Sequence, residues 1–171
     1  MYQVRFHGRG GQGVVTSAEL LAVAAFDGGR HAQAFPFFGS ERTGAPLMAF
    51  CRIDDRPIRT REPIVTPDAL VVQDPTLLHV LDLRAPLVVV NTTAAVTGPG
   101  RIVTVAASAI AREHLGRPMP GAPLLAALAA ASGIVTLEAL EAAITERFPE
   151  AVAAGNVAAA RAAYAEVLSH A

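Results

Sequence analysis

The stretch YQVRFHGRGGQGVVTSAELLAVAAF, residues 2–26, decides the fold. Tyr2 to His7 alternates in polarity and is rich in Val and Phe, which predicts a β-strand. The glycine-rich segment 8–13 follows, and Val14 to Phe26 has the Ala and Leu content and the spacing of a helix. A strand, a glycine loop and a helix in this order are the opening unit of an α/β domain.

The rest of the chain continues this alternation of strands and helices. Short continuous apolar runs at 69–73 and 87–91 are typical of strands that are covered on both faces of a parallel sheet. Further strands are predicted at 30–35, 46–53 and 101–105, a short crossover helix at 75–83, and helices at 106–115, 122–132, 136–148 and 150–168. We expect one domain, residues 1–171, with a doubly wound, Rossmann-like α/β fold, a mostly parallel sheet and C-terminal helices.

Composition excludes several classes of function. All 14 basic side chains are arginine, so amine catalysis by lysine is excluded, and a net charge of −1 without a basic stretch argues against a nucleic-acid partner. The single cysteine, Cys51, cannot hold an iron–sulfur cluster alone, and the histidines lack metal-ligand spacing. We expect no metal site and no catalytic residue on this chain.

The chain is more apolar than an ordinary soluble domain needs. Its hydrophobic fraction is 52% and its mean hydropathy is +0.39, yet no apolar run reaches the roughly 18 residues that span a bilayer. Two explanations of this excess of apolar residues stay open: burial against partner subunits, and the high alanine content. The N-terminus begins directly with a strand pattern and carries no export signal, so we expect a cytoplasmic protein without membrane contact.

The glycine loop has the spacing G-x-G-x-x-G at Gly8, Gly10 and Gly13. Glycine lets the backbone approach a ligand closely, and the free N–H groups at a helix start attract an anion. Three interpretations stay open: an anion site, a dinucleotide site, or a tight strand–helix turn only. Arg9 either assists an anion or is solvated, and Gln12 either donates to a ligand or caps the turn.

A dinucleotide site needs an acidic residue at the end of the second strand. Residues 31–36 contain none, and Asp27 lies too early, which argues against this interpretation. His7, next to the loop, is more consistent with a satisfied, partly buried histidine than with a catalytic base. Cys51 is expected to pack in the core.

A second segment, PFFGSERTGA at 36–45, combines glycines and aromatic residues with a charged pair. The guanidinium of Arg42 has the planar geometry to bind a phosphate or carboxylate, and an ion pair between subunits is the equal alternative. Phe35, Phe37 and Phe38 form either a docking patch or, for at least one of them, part of the core.

Together these segments resemble the gamma subunits, or fused gamma domains, of pyruvate:ferredoxin oxidoreductases and related 2-oxoacid oxidoreductases. GRGGQGV at 8–14 is similar to the opening signature of that family, and FPFFGSERTGAP at 35–46 is similar to its F-P-x-F-G-x-E-R-x-G-A-P stretch. RIDD at 52–55, PD at 67–68, QDP at 73–75, Asn156 and Tyr164 also match. Arg42-Thr43-Gly44-Ala45 looks closer to the pyruvate or branched-chain group.

The resemblance implies a subunit that takes part in oxidative decarboxylation of a 2-oxoacid with coenzyme A, giving acyl-CoA, CO2 and reduced ferredoxin. It implies alpha, beta and ferredoxin-like delta subunits as partners, together with ferredoxin. Thiamine diphosphate, Mg²⁺ and [4Fe-4S] clusters would reside mainly on those partners, with no cofactor bound by this chain alone. A nucleotide-binding module and a purely structural subunit are the alternatives. The candidate cofactor-binding residues are Gly8, Arg9, Gly10, Gly11, Gln12, Gly13, Ser40, Glu41, Arg42, Thr43 and Gly44.

Overall fold

A computed structural model describes residues 1–37 and 45–170 of the chain. The strands of the described part are β1 (Tyr2–Arg9), β2 (His31–Phe37), β3 (Pro46–Asp54), β4 (Ala69–Val72), β5 (Leu87–Asn91) and β6 (Arg101–Val105). Its α-helices are α1 (Val14–Asp27), α2 (Ala107–Leu115), α3 (Gly121–Ser132), α4 (Leu137–Arg147) and α5 (Glu150–Ser169), and a 3₁₀ helix covers Pro75–Leu77.

The six strands form one sheet in the order β2-β3-β1-β4-β5-β6. Strands β1, β4, β5 and β6 pair in parallel, whereas β3 is antiparallel to both of its neighbours, β1 and β2. Five strands therefore point in one direction, which confirms the predicted α/β fold with a mostly parallel sheet. The chain leaves β1 toward one side, returns through β3, and then continues on the other side from β4.

The helices pack on one face of this sheet and form the larger core. Inward-facing side chains of the central strands, such as Val4, Phe6, Val71 and Val89, contact buried Leu and Ala side chains of the helices. Cys51 belongs to this core and is fully buried, as predicted, and burial raises the pKa of its thiol to about 12.

The opposite face carries a smaller apolar cluster around Leu70, Val72, Val88 and Val90, covered by Leu78 and Leu81. The predicted crossover helix over 75–83 is wrong in extent, because only Pro75–Leu77 is helical, as a 3₁₀ turn. The carboxylate of Asp82 accepts a hydrogen bond from the Arg84 backbone N–H at 3.1 Å, and such local bonds compete with helix formation.

Strand β2 runs two residues beyond its predicted end, through Pro36 to Phe37. Proline lacks a donor and is tolerated only at the edge of a sheet, and β2 is an edge strand. Phe35 and Phe37 pack against the buried Phe50, with ring centroids 5.1 and 5.9 Å apart. Within residues 1–37 and 45–170, no helix has both the length and the apolar character that a membrane span requires.

Candidate functional site

The glycine loop lies at the carboxyl edge of the sheet, between the end of β1 and the start of α1. Gly11 and Gly13 have φ angles of +88° and +73°, in the region that favours glycine, and Gly13 occupies the N-cap of α1. Because the N-cap residue is glycine, it has no side chain with which to cap the helix. The N–H groups of its first turn have no intrahelical acceptor, so they form a donor-rich, positively polarised end.

Gly8 is required by close packing rather than by its backbone angles. A Cβ atom at this position would lie 2.5 Å from Val14 Cγ2 and 3.0 Å from Gln12 Oε1. The loop therefore folds back tightly onto the start of α1. Two functions of glycine, positive φ and absence of a side chain, are thus divided between different positions of one motif.

Asp74, which follows β4, bridges the glycine loop to the neighbouring strand. Its carboxylate accepts a hydrogen bond from Gln12 Nε2 at 2.8 Å and forms an ion pair with Arg9 Nε at 3.4 Å. Arg9 also donates to Thr76 Oγ1, and Gln12 Oε1 accepts from the Arg9 backbone N–H at 2.8 Å. In this structure Gln12 caps the turn, which is one of its two predicted roles, and donation to a ligand stays a prediction.

The bridge places a negative charge at the carboxyl edge between β1 and β4. Burial raises the pKa of Asp74, but hydrogen bonds from Thr76 and Gln12, with the charge of Arg9, outweigh burial and hold the pKa below its usual range. Sequence reasoning used Asp74 only as part of the family resemblance. Its position directly after a strand that is parallel to β1 was the available signal for a residue of this site.

A buried polar frame supports the loop from below. Gln73 is 1% exposed, its backbone N–H donates to the His7 carbonyl at 2.8 Å, and its Nε2 donates to Ser17 Oγ at 2.7 Å. The Ser17 hydroxyl in turn donates to the Gly13 carbonyl at 3.0 Å. Asn91, at the end of β5, donates to the Gln73 carbonyl at 2.9 Å. The frame ties three parallel strands and α1 together beneath the loop.

His7 is buried within the strand, as predicted for a satisfied histidine. It is 4% exposed, and its Nε2 accepts a hydrogen bond from Arg5 Nε at 2.9 Å. Burial, assisted by the charge of Arg5, lowers the pKa of His7 to about 4. The imidazole is therefore neutral near pH 7, and its Nε2 lone pair is directed at a guanidinium rather than at the loop.

The second candidate segment, Ser40, Glu41, Arg42, Thr43 and Gly44, lies outside the described residues, as does Phe38. Its flanking residues are placed at the same edge of the sheet as the glycine loop. The Ala45 carbonyl accepts a hydrogen bond from the Gly10 N–H at 3.3 Å, and β3 begins opposite Arg9.

The sheet topology also bears on the dinucleotide interpretation. In a dinucleotide-binding sheet, the second strand lies beside β1, and its acidic residue faces the ribose. Here β3 occupies that position and runs antiparallel, so the end of β2 is one strand farther away. The position that a dinucleotide site would give to an acidic residue at the end of the second strand is therefore absent beside this loop, and the sequence of β2 also lacks the carboxylate.

A pocket of about 130 Å³ opens beside the loop, on the helical face. Its wall is mostly apolar and is built by the first turns of α1 and α3, the end of α2, and α5. Gln12 and Gly13 are shared between the pocket and the loop. In the described part of the chain, no three His, Cys, Asp or Glu side chains are grouped closely enough to hold a metal ion.

Comparisons with known proteins agree with this architecture. The family model for "Pyruvate ferredoxin/flavodoxin oxidoreductase" matches residues 3–166. The pyruvate synthase subunit PorC of Methanothermobacter marburgensis is 47% identical over 176 aligned residues, covering 99% of each chain. The pyruvate/ketoisovalerate oxidoreductases common subunit gamma of Thermococcus kodakarensis is also 47% identical, over 96% of each chain.

A solved structure shows the same fold. The crystal structure of pyruvate oxidoreductase subunit PORC from Thermotoga maritima superposes with a TM-score of 0.84 at 37% identity, covering 96% of this chain and 95% of that one. The family model spans nearly the whole sequence, and the relatives match end to end. The chain therefore belongs to the pyruvate ferredoxin/flavodoxin oxidoreductase family.

Proposed function

We propose that this chain is the gamma-type subunit of a cytoplasmic 2-oxoacid:ferredoxin oxidoreductase complex, acting on pyruvate or a related 2-oxoacid. The complex converts the 2-oxoacid and coenzyme A to acyl-CoA and CO2 and reduces ferredoxin. End-to-end similarity to subunits named PorC and common subunit gamma supports this assignment. The partners would be alpha, beta and ferredoxin-like delta subunits, which carry thiamine diphosphate, Mg²⁺ and [4Fe-4S] clusters.

Within that complex, the glycine loop and segment 40–44 together assist coenzyme A. The observation that carries this role is the N-terminus of α1, whose N-cap residue is a glycine without a side-chain cap and which faces the carboxyl edge behind Gly11 and Gly13. Backbone N–H groups at such an end bind phosphate, and Arg42 would supply a planar charged fork from the neighbouring loop. The pyrophosphate of coenzyme A is the anionic group that uses both.

A purely structural role is the second candidate, and one observation favours it. The side chains of Arg9 and Gln12 are bonded to Asp74, Thr76 and the loop backbone. These side chains therefore hold the loop in place, and the Asp74 charge would oppose an anion approaching from the β4 side. The two roles predict different effects of removing Arg42 on the KM for coenzyme A.

The test is Arg42→Ala in the assembled complex. A lost charged hydrogen bond of about 1.5–3 kcal/mol predicts a rise of about 10- to 100-fold in KM for coenzyme A, with KM for the 2-oxoacid unchanged. Arg56→Ala, at the exposed turn after β3, is the matched control and should change neither constant. An unchanged KM for coenzyme A in an intact complex would assign Arg42 to structure.

A further inference from the structure

Strand β6 is one edge of the sheet, and no strand of the described part of the chain lies beside its outer side. Its inner side pairs in parallel with β5. The Arg101 N–H donates to the Pro86 carbonyl at 2.9 Å, and the Val105 carbonyl accepts from the Thr92 N–H at 3.0 Å. These two bonds mark the residues of β6 whose backbone is directed at β5.

The backbone groups of β6 alternate between the two sides of the strand. Since Arg101 and Val105 face β5, Val103 between them does so as well. The N–H and C=O groups of Ile102 and Thr104 therefore point outward, where the described residues supply no partner. The strand leaves two donors and two acceptors available to a further strand.

This edge lacks the features that protect free edges in natural sheets. Such edges are usually interrupted by proline, lined by charged side chains or covered by another element. The opposite edge strand, β2, contains Pro36. Strand β6 reads RIVTV, with one charged residue at its start and four consecutive β-branched residues after it, which favour pairing with another strand.

A groove of about 450 Å³ opens beside the same edge. Val103 and Thr104 of β6 line it together with Glu166, Val167 and His170 from the end of α5. Val103 and Val167 also pack in the larger core and give the groove an apolar floor. Free backbone groups next to an apolar floor are what an extended chain needs in order to dock by strand addition.

Two charged side chains of the groove have no partner of opposite charge. Glu166 is partly buried, and its carboxylate forms neither a hydrogen bond nor an ion pair within residues 1–37 and 45–170. The Arg101 guanidinium donates to the Ala131 carbonyl at 3.1 Å, and no described carboxylate pairs with it. A partly buried charge without a partner is costly, so the two side chains favour an occupant that carries both an acidic and a basic group.

We propose that an extended segment of a partner subunit joins the sheet as a seventh strand beside β6. The proposal rests on the proposed function, because it requires a chain that works within a complex. Apolar side chains of the segment pack on Val103 and Val167, a basic one lies beside Glu166, and an acidic one lies beside Arg101. Strand β6 of a second copy contains no carboxylate for Arg101, so the charges favour a different chain.

Amide hydrogen exchange, resolved for single residues, tests the pairing in the wild-type protein. In the isolated chain, the outward N–H groups of Ile102 and Thr104 should exchange freely, whereas those of Val103 and Val105 face β5 and serve as internal controls. In the assembled complex, we expect exchange at Ile102 and Thr104 to slow by about 10-fold, the factor of one net hydrogen bond. Unchanged exchange at both positions in an intact complex would overturn the proposal.

Two variants at one position separate strand pairing from mere coverage. Thr104→Pro removes the outward N–H and leaves the ladder with β5 in place, and Thr104→Ala is the matched control that keeps the N–H. The dissociation constant of this chain from the purified complex is measured by mass photometry on dilution. Thr104→Pro should raise it about 3- to 10-fold, and Thr104→Ala should leave it unchanged.

The outcomes distinguish this proposal from the proposed function. A wild-type chain that purifies without partners would contradict the function, and the pairing with it. A wild-type complex with equal dissociation constants for both variants would overturn the pairing alone. A homodimer that is lost in Thr104→Pro, with subunit binding unchanged, would assign the edge to a second copy and overturn the proposal. Where Thr104→Pro does not fold, the exchange rates of the wild type decide.

Discussion

At the residue scale, Asp74 holds the glycine loop against the neighbouring strand through Arg9 and Gln12. We expect Asp74→Asn to lower the free energy of unfolding by about 1.5–3 kcal/mol, because the ion pair with Arg9 is lost and Gln12 donates to a neutral acceptor instead of a carboxylate. Urea unfolding of the two proteins at pH 7 measures the difference. The matched control is Asp82→Asn, which removes an exposed ion pair with Arg84 and should cost at most about 1 kcal/mol.

The lowered pKa of Asp74 gives the effect a pH dependence. The folded protein binds the proton less readily than the unfolded chain does, so the stabilisation is present above the unfolded pKa and is lost as pH falls through the folded pKa. The difference in free energy of unfolding between Asp74→Asn and the wild type should therefore disappear at acidic pH. A deficit that is equal at pH 7 and at pH 3 would show that the charge is not involved.

The lowered pKa of His7 predicts a second pH dependence of stability, in a higher pH range than that of Asp74. Its folded pKa of about 4 lies below the 6.5 of a solvent-exposed histidine, so the unfolded chain binds a proton that the folded protein excludes. Stability should fall by about 2 kcal/mol as pH drops from 6.5 to 5, and the loss should continue to about pH 4. His7→Gln, measured by the same urea titration, should remove this slope, and an unchanged slope would assign it to other groups.

Residue roles were predictable where they follow from position in the chain, and less so where they follow from partners. His7 and Cys51 lie within predicted strands, and burial followed from that. The pairing of Arg9 with Asp74 joins residues 65 positions apart, so no local pattern indicates it. Asn156 was recognised from the family pattern, but its place in the pocket wall depends on the other helices that meet around it.

At the element scale, the β1–loop–α1 unit depends on Gly8 for close packing. Gly8→Ala would place a methyl group 2.5 Å from Val14 Cγ2, so we expect a loss of about 1–3 kcal/mol and displacement of the start of α1. Gly28→Ala, at the end of the same helix, is the control. Its φ is −75° and its nearest contacts are 3.4 Å, so it should be nearly neutral. Thermal and urea unfolding compare the two, and equal stability would contradict the packing argument.

Elements with a strong apolar pattern were predicted to within about two residues, and β5 and β6 match their predicted bounds. The crossover between β4 and β5 was wrongly predicted as a helix. Its apolar residues Leu78 and Leu81 face the sheet with a spacing that also fits a helix. The hydrogen bond from the Arg84 N–H to the Asp82 carboxylate is a local alternative to a helix at this point. The antiparallel direction of β3 likewise follows from the sheet as a whole and not from its own residues.

At the scale of the whole molecule, the described surface exposes large apolar side chains, among them Phe26 at 68%, Val65 at 81% and Val80 at 66%. Such exposure suits a chain that is covered by partner subunits. The family resemblance, rather than hydropathy, predicted those partners, because alanine content accounts for part of the apolar excess.

The central claim is that this chain works only as one subunit of a 2-oxoacid oxidoreductase. The most direct measurement is affinity purification of the tagged chain from its own cells, followed by an assay of coenzyme A-dependent viologen reduction with pyruvate. We predict co-purification of chains that carry thiamine diphosphate and iron–sulfur absorbance, with activity in the assembly and none in the isolated chain. Recovery of a partner-free monomer, or turnover by the single chain, would contradict the account.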